Sequence, residues 1–150
     1  MRGLCVALGI VGLALSSWSR ADNSRQSKEA EQQKLEGTWQ LTEGEVSGTK
    51  LPPDAVGAIV LVVTGDHYRV TTAEGPDEGT VRLLPDRNPK AMKIVGTKGP
   101  NKGKTMLAIY ELKDDTLRVC YDLSGKEWPT EFKSKPKTQT FLAIYRKQKP

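Results

Sequence analysis

The sequence predicts an all-β fold, an antiparallel sandwich or barrel of eight strands preceded by a short N-terminal helix. Short runs rich in Val, Ile, Thr and Tyr recur between clusters of Gly, Pro, Asp and Asn, the residues that punctuate strands with turns. No long stretch of helical period separates them. At 150 residues, 37% hydrophobic and 27% charged, the chain suits one domain with one core and is too apolar for disorder. A single His and two Cys argue against a zinc cage, which needs about four nitrogen or sulfur ligands.

The first element reads as an address. Met1 and Arg2 make a short positive start, and residues 4–15 (LCVALGIVGLAL) form an unbroken apolar or small run. A bilayer span takes about 20 residues, so this run fits a signal-peptide core better than an uncleaved membrane anchor. Ser19 and Ala21 put small residues three before and immediately before a cut at Asp22, so residues 1–21 are expected to be removed on export. The loss of Arg2 and Arg20 would leave 21 basic against 18 acidic residues, net +3. Cys5 would go too, leaving Cys120 alone, with no internal disulfide available to it. Residues 22–34 (DNSRQSKEAEQQK) are almost wholly polar and read as a tether and short helix with too thin an apolar face to stand alone.

The domain proper is expected over residues 35–150. Candidate strands cover residues 38–46, 58–64, 67–72, 78–84, 91–97, 105–112, 116–122 and 140–147. The run 58–64 (AIVLVVT) is apolar throughout and reads as buried on both faces. A helical turn is expected at residues 55–57, after Pro52 and Pro53. Gly65-Asp66 and Lys113-Asp114-Asp115 are short enough to close hairpins, and residues 73–77 read as a turn. Alternation puts Leu117, Val119 and Tyr121 on one face, and Met106, Ala108, Tyr110 and Leu112 on another. Those faces either fill a core or line a cup.

Gly37-Thr38-Trp39 opens the first strand, and the last strand carries Arg146. This pairing resembles lipocalin-type barrels, in which a Gly-x-Trp starts the first strand and an Arg near the end covers the indole. Further motifs follow in order: Leu51-Pro52-Pro53-Asp54, Gly65-Asp66 before Tyr68, Glu78-Gly79-Thr80, Pro89-Lys90-Ala91-Met92, Gly103-Lys104-Thr105, Ile109-Tyr110-Glu111-Leu112 and Thr130-Glu131-Phe132. From Leu35 to Lys147 the chain is similar to an exported lipocalin-like domain family known chiefly from planctomycete bacteria. The resemblance implies an antiparallel eight-stranded lipocalin-like (calycin-type) barrel and carries no established activity. Gly37, Trp39 and Arg146 are then expected to form a structural barrel plug, a guanidinium over an indole being favourable by roughly 0.5–2 kcal/mol.

The chemical motifs point away from catalysis. Gly99-Pro100-Asn101-Lys102-Gly103-Lys104-Thr105 has three residues between its glycines where a phosphate-binding loop has four, and it precedes a strand instead of a helix. His67 is the only histidine, and no nucleophile-elbow pattern accompanies it; Ser124 and Asp66 would have to be brought to it from elsewhere. Asp77-Glu78 and Asp114-Asp115 are neighbours in turns and point apart. Cys120 lies in a strand-like run and reads as a packed, unreactive thiol. No catalytic residue, metal site or cofactor is therefore expected.

Ligand binding is expected of the apolar faces, with Tyr68, Met106, Tyr110, Tyr121 and Phe141 as candidate contacts for a small hydrophobic ligand. The alternative is a filled barrel that works as an envelope module through its basic end. Residues 126–150 carry seven basic groups against Glu127 and Glu131, net +5, with Trp128 and Phe132 among them. Such a surface suits an anionic envelope component; export argues against nucleic acid. The protein is expected to be a monomer.

Overall fold

A computed structural model describes residues 19–150 of the chain. Helix α1 (Ser19–Leu35) comes first, then β1 (Gly37–Val46), the two-residue β2 (Thr49–Lys50) and helix α2 (Pro53–Ala58). β3 (Val60–Thr64), β4 (His67–Thr72), β5 (Gly75–Leu84), β6 (Ala91–Lys98), β7 (Thr105–Lys113), β8 (Thr116–Asp122) and β9 (Thr140–Lys147) follow. Each strand from β3 onward pairs antiparallel with the next in sequence. β1 pairs with β3 on one side and β9 on the other, which closes the sheet. The result is an eight-stranded up-and-down barrel, a lipocalin-like architecture, with β2 as a short addition to β1. Closure leaves no stave with an unpaired edge.

Local chemistry explains the connections. The β3–β4 and β7–β8 hairpins turn through two residues each, and Gly65 and Asp114 take the positive φ such tight turns need. Both turns lie at one end of the barrel, with the start of β1 and the β5–β6 connection. The β4–β5, β6–β7 and β8–β9 connections lie at the other end. Inward residues follow the period of two: Leu61 and Val63 on β3, Val81 and Leu83 on β5, Leu117 and Val119 on β8 are all buried. Val60 and Val62 are half-buried, so β3 buries one face and not both. Its apolar character on the outer face gives no sign of this in the sequence.

Two elements depart from expectation. The strand expected from residue 78 begins at Gly75, so Asp77 lies inside β5 and not in a turn. Asp77 points into the barrel and Glu78 outward to Arg69 and Lys98, as neighbours on a strand must. The polar stretch 22–34, expected as a tether and short helix, is helical throughout, and α1 packs across the closed end of the barrel. Its barrel-facing stripe is Ser24, Lys28, Glu31, Gln32 and Leu35, at helical spacing but mostly polar. Glu31 is buried and meets Lys90 at 3.0 Å, Lys34 at 3.6 Å and the Tyr110 hydroxyl at 3.3 Å. Gln32 donates to the carbonyl of Gly65, and the Gly65 N–H donates to Glu36. The run at residues 4–15, expected to be a signal-peptide core, lies outside the described residues. Among the described residues no helix is long and apolar enough to cross a membrane.

A second apolar cluster sits outside the barrel wall. Ala91, Ile109 and Cys120 form its buried centre, and Leu84, Trp128, Phe132 and Leu142 pack over them. The long β8–β9 connection is thus a strap laid on the outer face. Arg87 stacks 4.1 Å from the Trp128 ring and Arg118 4.1 Å from Phe132. Asp122 anchors the start of the strap, accepting from the N–H groups of Ser124, Lys126 and Glu127 and from the Ser124 hydroxyl. Burial alone would raise its carboxyl, but those bonds outweigh it and hold the group below the usual aspartate value.

Candidate functional site

The side chains of the described residues leave the barrel interior partly open. A cavity of about 400 Å³ runs from Leu35 of α1, at the closed end, to a mouth marked by the exposed residues Lys104 and Gln139. Native interiors pack to a density of about 0.75, so a void of this size is a feature of the site and not packing slack. It falls near the lower end of the roughly 300–1,000 Å³ found for small-molecule sites. Its wall is mainly apolar, built from Leu61, Val63, Met92, Ile94, Met106, Leu117 and Val119.

Four of the five expected contact residues line this cavity: Tyr68, Met106, Tyr121 and Phe141. Tyr121 and Phe141 sit directly opposite each other on β8 and β9, their rings stacked at 5.5 Å and 17°. Tyr110 is the exception. It is buried at the closed end, where its hydroxyl meets Glu31 beneath α1. Burial, and then the Glu31 charge, push its phenol well above the usual tyrosine range. Tyr110 is therefore part of the floor that supports the helix.

Sequence reasoning missed Tyr145, Asp77 and Asn101 as lining residues. Tyr145 follows Phe141 by four residues on the same strand, so the period of two could have found it. Its hydroxyl lies 3.5 Å from that of Tyr121, and burial pushes its phenol up to about 12. The Tyr121 phenol is also raised, by burial first. The other two residues form the polar part of the cavity near its mouth. Asp77, 5% exposed, accepts from the Tyr68 hydroxyl at 2.9 Å, the Asn101 N–H at 2.9 Å and the Asn101 amide at 3.0 Å. Burial, and then the bond to Asp77, raise the Tyr68 phenol well above its ordinary range.

Two glycines make this cluster possible. A Cβ on Gly96 would collide with the backbone of Asn101, and one on Gly79 would lie 2.6 Å from the Tyr68 ring. Gly79 leaves room for the Tyr68 ring and for the Val95 carbonyl of β6, and Gly96 lets the β6–β7 loop fold back far enough for Asn101 to reach Asp77. The Gly-Pro-Asn-Lys segment is thus a tight loop leading into β7, as its sequence predicts.

The barrel plug is corrected in one member. Trp39 is fully buried and its indole N–H donates to the carbonyl of Leu35 at 2.8 Å. The cation over its ring is Lys147, at 5.1 Å, and not Arg146, which is exposed on the outer face. Trp39 pairs with Lys147 in the β1–β9 register, while Arg146 pairs with Gln40 and points the other way. Lys147 also donates to the Lys34 carbonyl at 3.0 Å, at the electronegative end of α1. Gly37 has φ of 127°, and a Cβ there would lie 2.9 Å from the Lys147 chain, so its role in the plug is to let that lysine pass.

The remaining chemical candidates are not brought together. His67 pairs with Asp66 at 2.6 Å in the exposed β3–β4 turn, while Ser124 is at the opposite end, bonded to Asp122. Cys120 is buried in the outer cluster, and burial raises its thiol. The basic C-terminal residues divide between the ends: Lys133, Lys135 and Lys137 on the strap, Arg146 and Lys147 at the α1 end. Trp128 and Phe132 face the barrel wall. Among the described residues no three His, Cys, Asp or Glu side chains gather as a metal site.

The fold defines a lipocalin-like barrel, and it encloses a cavity. No family model matches the chain, and no curated protein matches it. A solved structure similar in fold is described as a DUF4847 family protein from Bacteroides vulgatus ATCC 8482, at 12% identity and a TM-score of 0.47; the match covers 80% of this chain and 99% of that one.

Proposed function

We propose that this protein is an exported carrier or sensor of a small, mainly apolar molecule, held inside the barrel. The cavity is the observation that carries the reading: Tyr68, Met106, Tyr121 and Phe141 converge on a space that no side chain among the described residues fills. Apolar walls of this kind gain about 25 cal/mol for each Å² of ligand surface removed from water. The alternative, an envelope module with a filled interior, is weakened by that space and by the division of the C-terminal charge between opposite ends. Export is supported by the apolar run at residues 4–15 and the small residues at Ser19 and Ala21.

Titration of the full chain with decanol, followed by calorimetry, tests the reading. Saturable one-to-one binding is expected, together with its loss in Met106→Trp, which fills the cavity from β7. A Met106→Trp variant that folds and still binds decanol as the parent does would refute it.

A further inference from the structure

The polar end of the cavity narrows the ligand class. Asp77 is a buried acid in a mainly apolar chamber, and among the described residues its three hydrogen-bond donors are neutral: one phenol, one backbone N–H and one amide. Among the described residues no Lys, Arg or His nitrogen lies within 4 Å of it. A carboxylate has about four acceptor positions, so Asp77 keeps capacity for one further donor. An isolated charge is costly to bury, and an entering cation relieves that cost where an entering anion adds to it.

Lys104 is the competing feature, since it also borders the cavity. Its side chain is exposed at the mouth, where water already solvates the ammonium and leaves little to gain from pairing. Asp77 cannot turn to solvent in the same way, because Tyr68 and Asn101 hold both its oxygens. The fixed, desolvated group therefore dominates the selection.

We infer that the cavity selects an amphiphile with a protonated amine, its ammonium on Asp77 near the mouth and its apolar tail reaching towards Leu35. This rests on the reading of the barrel as a small-molecule site and adds the head group. The lining fits that arrangement along its length: Asp77, Asn101 and Thr72 are near the mouth, and Leu117, Met92 and Leu35 lie deeper. An ammonium supplies three donors, of which the carboxylate takes one.

Three probes of one chain length separate the possibilities: decylammonium, decanol and decanoate, each titrated at pH 7 into the full chain below its micelle concentration. Decylammonium is expected to bind at least about tenfold tighter than decanol, as a charge-assisted bond exceeds a neutral one, with decanoate weakest. Asp77→Asn should bring decylammonium and decanol within about threefold of each other, and Lys104→Gln should leave the order unchanged. Decanol binding with no preference for the amine overturns the inference and leaves the cavity reading standing. So does a decanoate preference lost in Lys104→Gln, which would make the mouth lysine the head-group partner. Failure of all three probes to bind overturns both. The order of the probes on the parent protein decides the matter even if Asp77→Asn does not fold.

Discussion

Replacing Trp39 with Ala should lower the unfolding free energy by about 3–5 kcal/mol. The side chain is fully buried at the closed end. A buried aromatic removes about 150–250 Å² from water, and at about 25 cal/mol per Å² that is roughly 4–6 kcal/mol before the surroundings relax. The indole also supplies the donor for the Leu35 carbonyl, where α1 passes into β1. Trp39→Phe keeps a ring and removes that donor, so it should cost about 1–3 kcal/mol. Lys147→Met keeps the alkyl stem over the ring and removes the cation, for about 0.5–1 kcal/mol. Arg146→Ala, on the outer face, should stay within about 0.5 kcal/mol of the parent. Urea unfolding followed by far-ultraviolet circular dichroism measures all four. The reasoning fails if Trp39→Ala costs less than about 1 kcal/mol, or if Arg146→Ala costs more than Lys147→Met.

Glu31 ties α1 to the barrel as an ionised group: burial works against its charge, but Lys90 and Lys34 outweigh it and hold the carboxyl below its usual value of 4.5. A depressed value means stability present above pH 4.5 and lost as pH falls through the folded-state value. The stability difference between the parent and Glu31→Gln should therefore be full at neutral pH and shrink on acidification below pH 4.5. A difference independent of pH would refute the ionic docking. Cys120 should resist a thiol reagent at pH 8 in the folded protein and react fully in denaturant, since it is buried and its thiol raised. Fast labelling of the native state would show that the strap does not cover it.

Much of the fold was legible because strands declare themselves locally. All eight expected runs became staves, and the inward faces around Met106 and Tyr121 followed from a period of two that any sequence displays. The errors share a physical cause. α1 docks through Glu31, Gln32 and other polar groups whose partners, Lys90, Tyr110 and Gly65, lie from 33 to 79 residues away, so its stripe carries no hydrophobic signal. Arg146 and Lys147 are adjacent cations, and only the register of β9 against β1 decides which one faces Trp39. Asp77 lies next to Pro76 and reads as a turn residue until the pairing with Val70 places it in a strand.

The sequence by itself determined the class of fold, the order of its strands and most of the apolar lining, since burial pattern and turn chemistry are local properties. The tertiary structure decided whether the interior was core or cup, and which polar groups entered it. Both depend on the closure of β1 against β9 and on the β6–β7 loop folding over Asp77. Those contacts join residues far apart in the chain, and no local pattern records them.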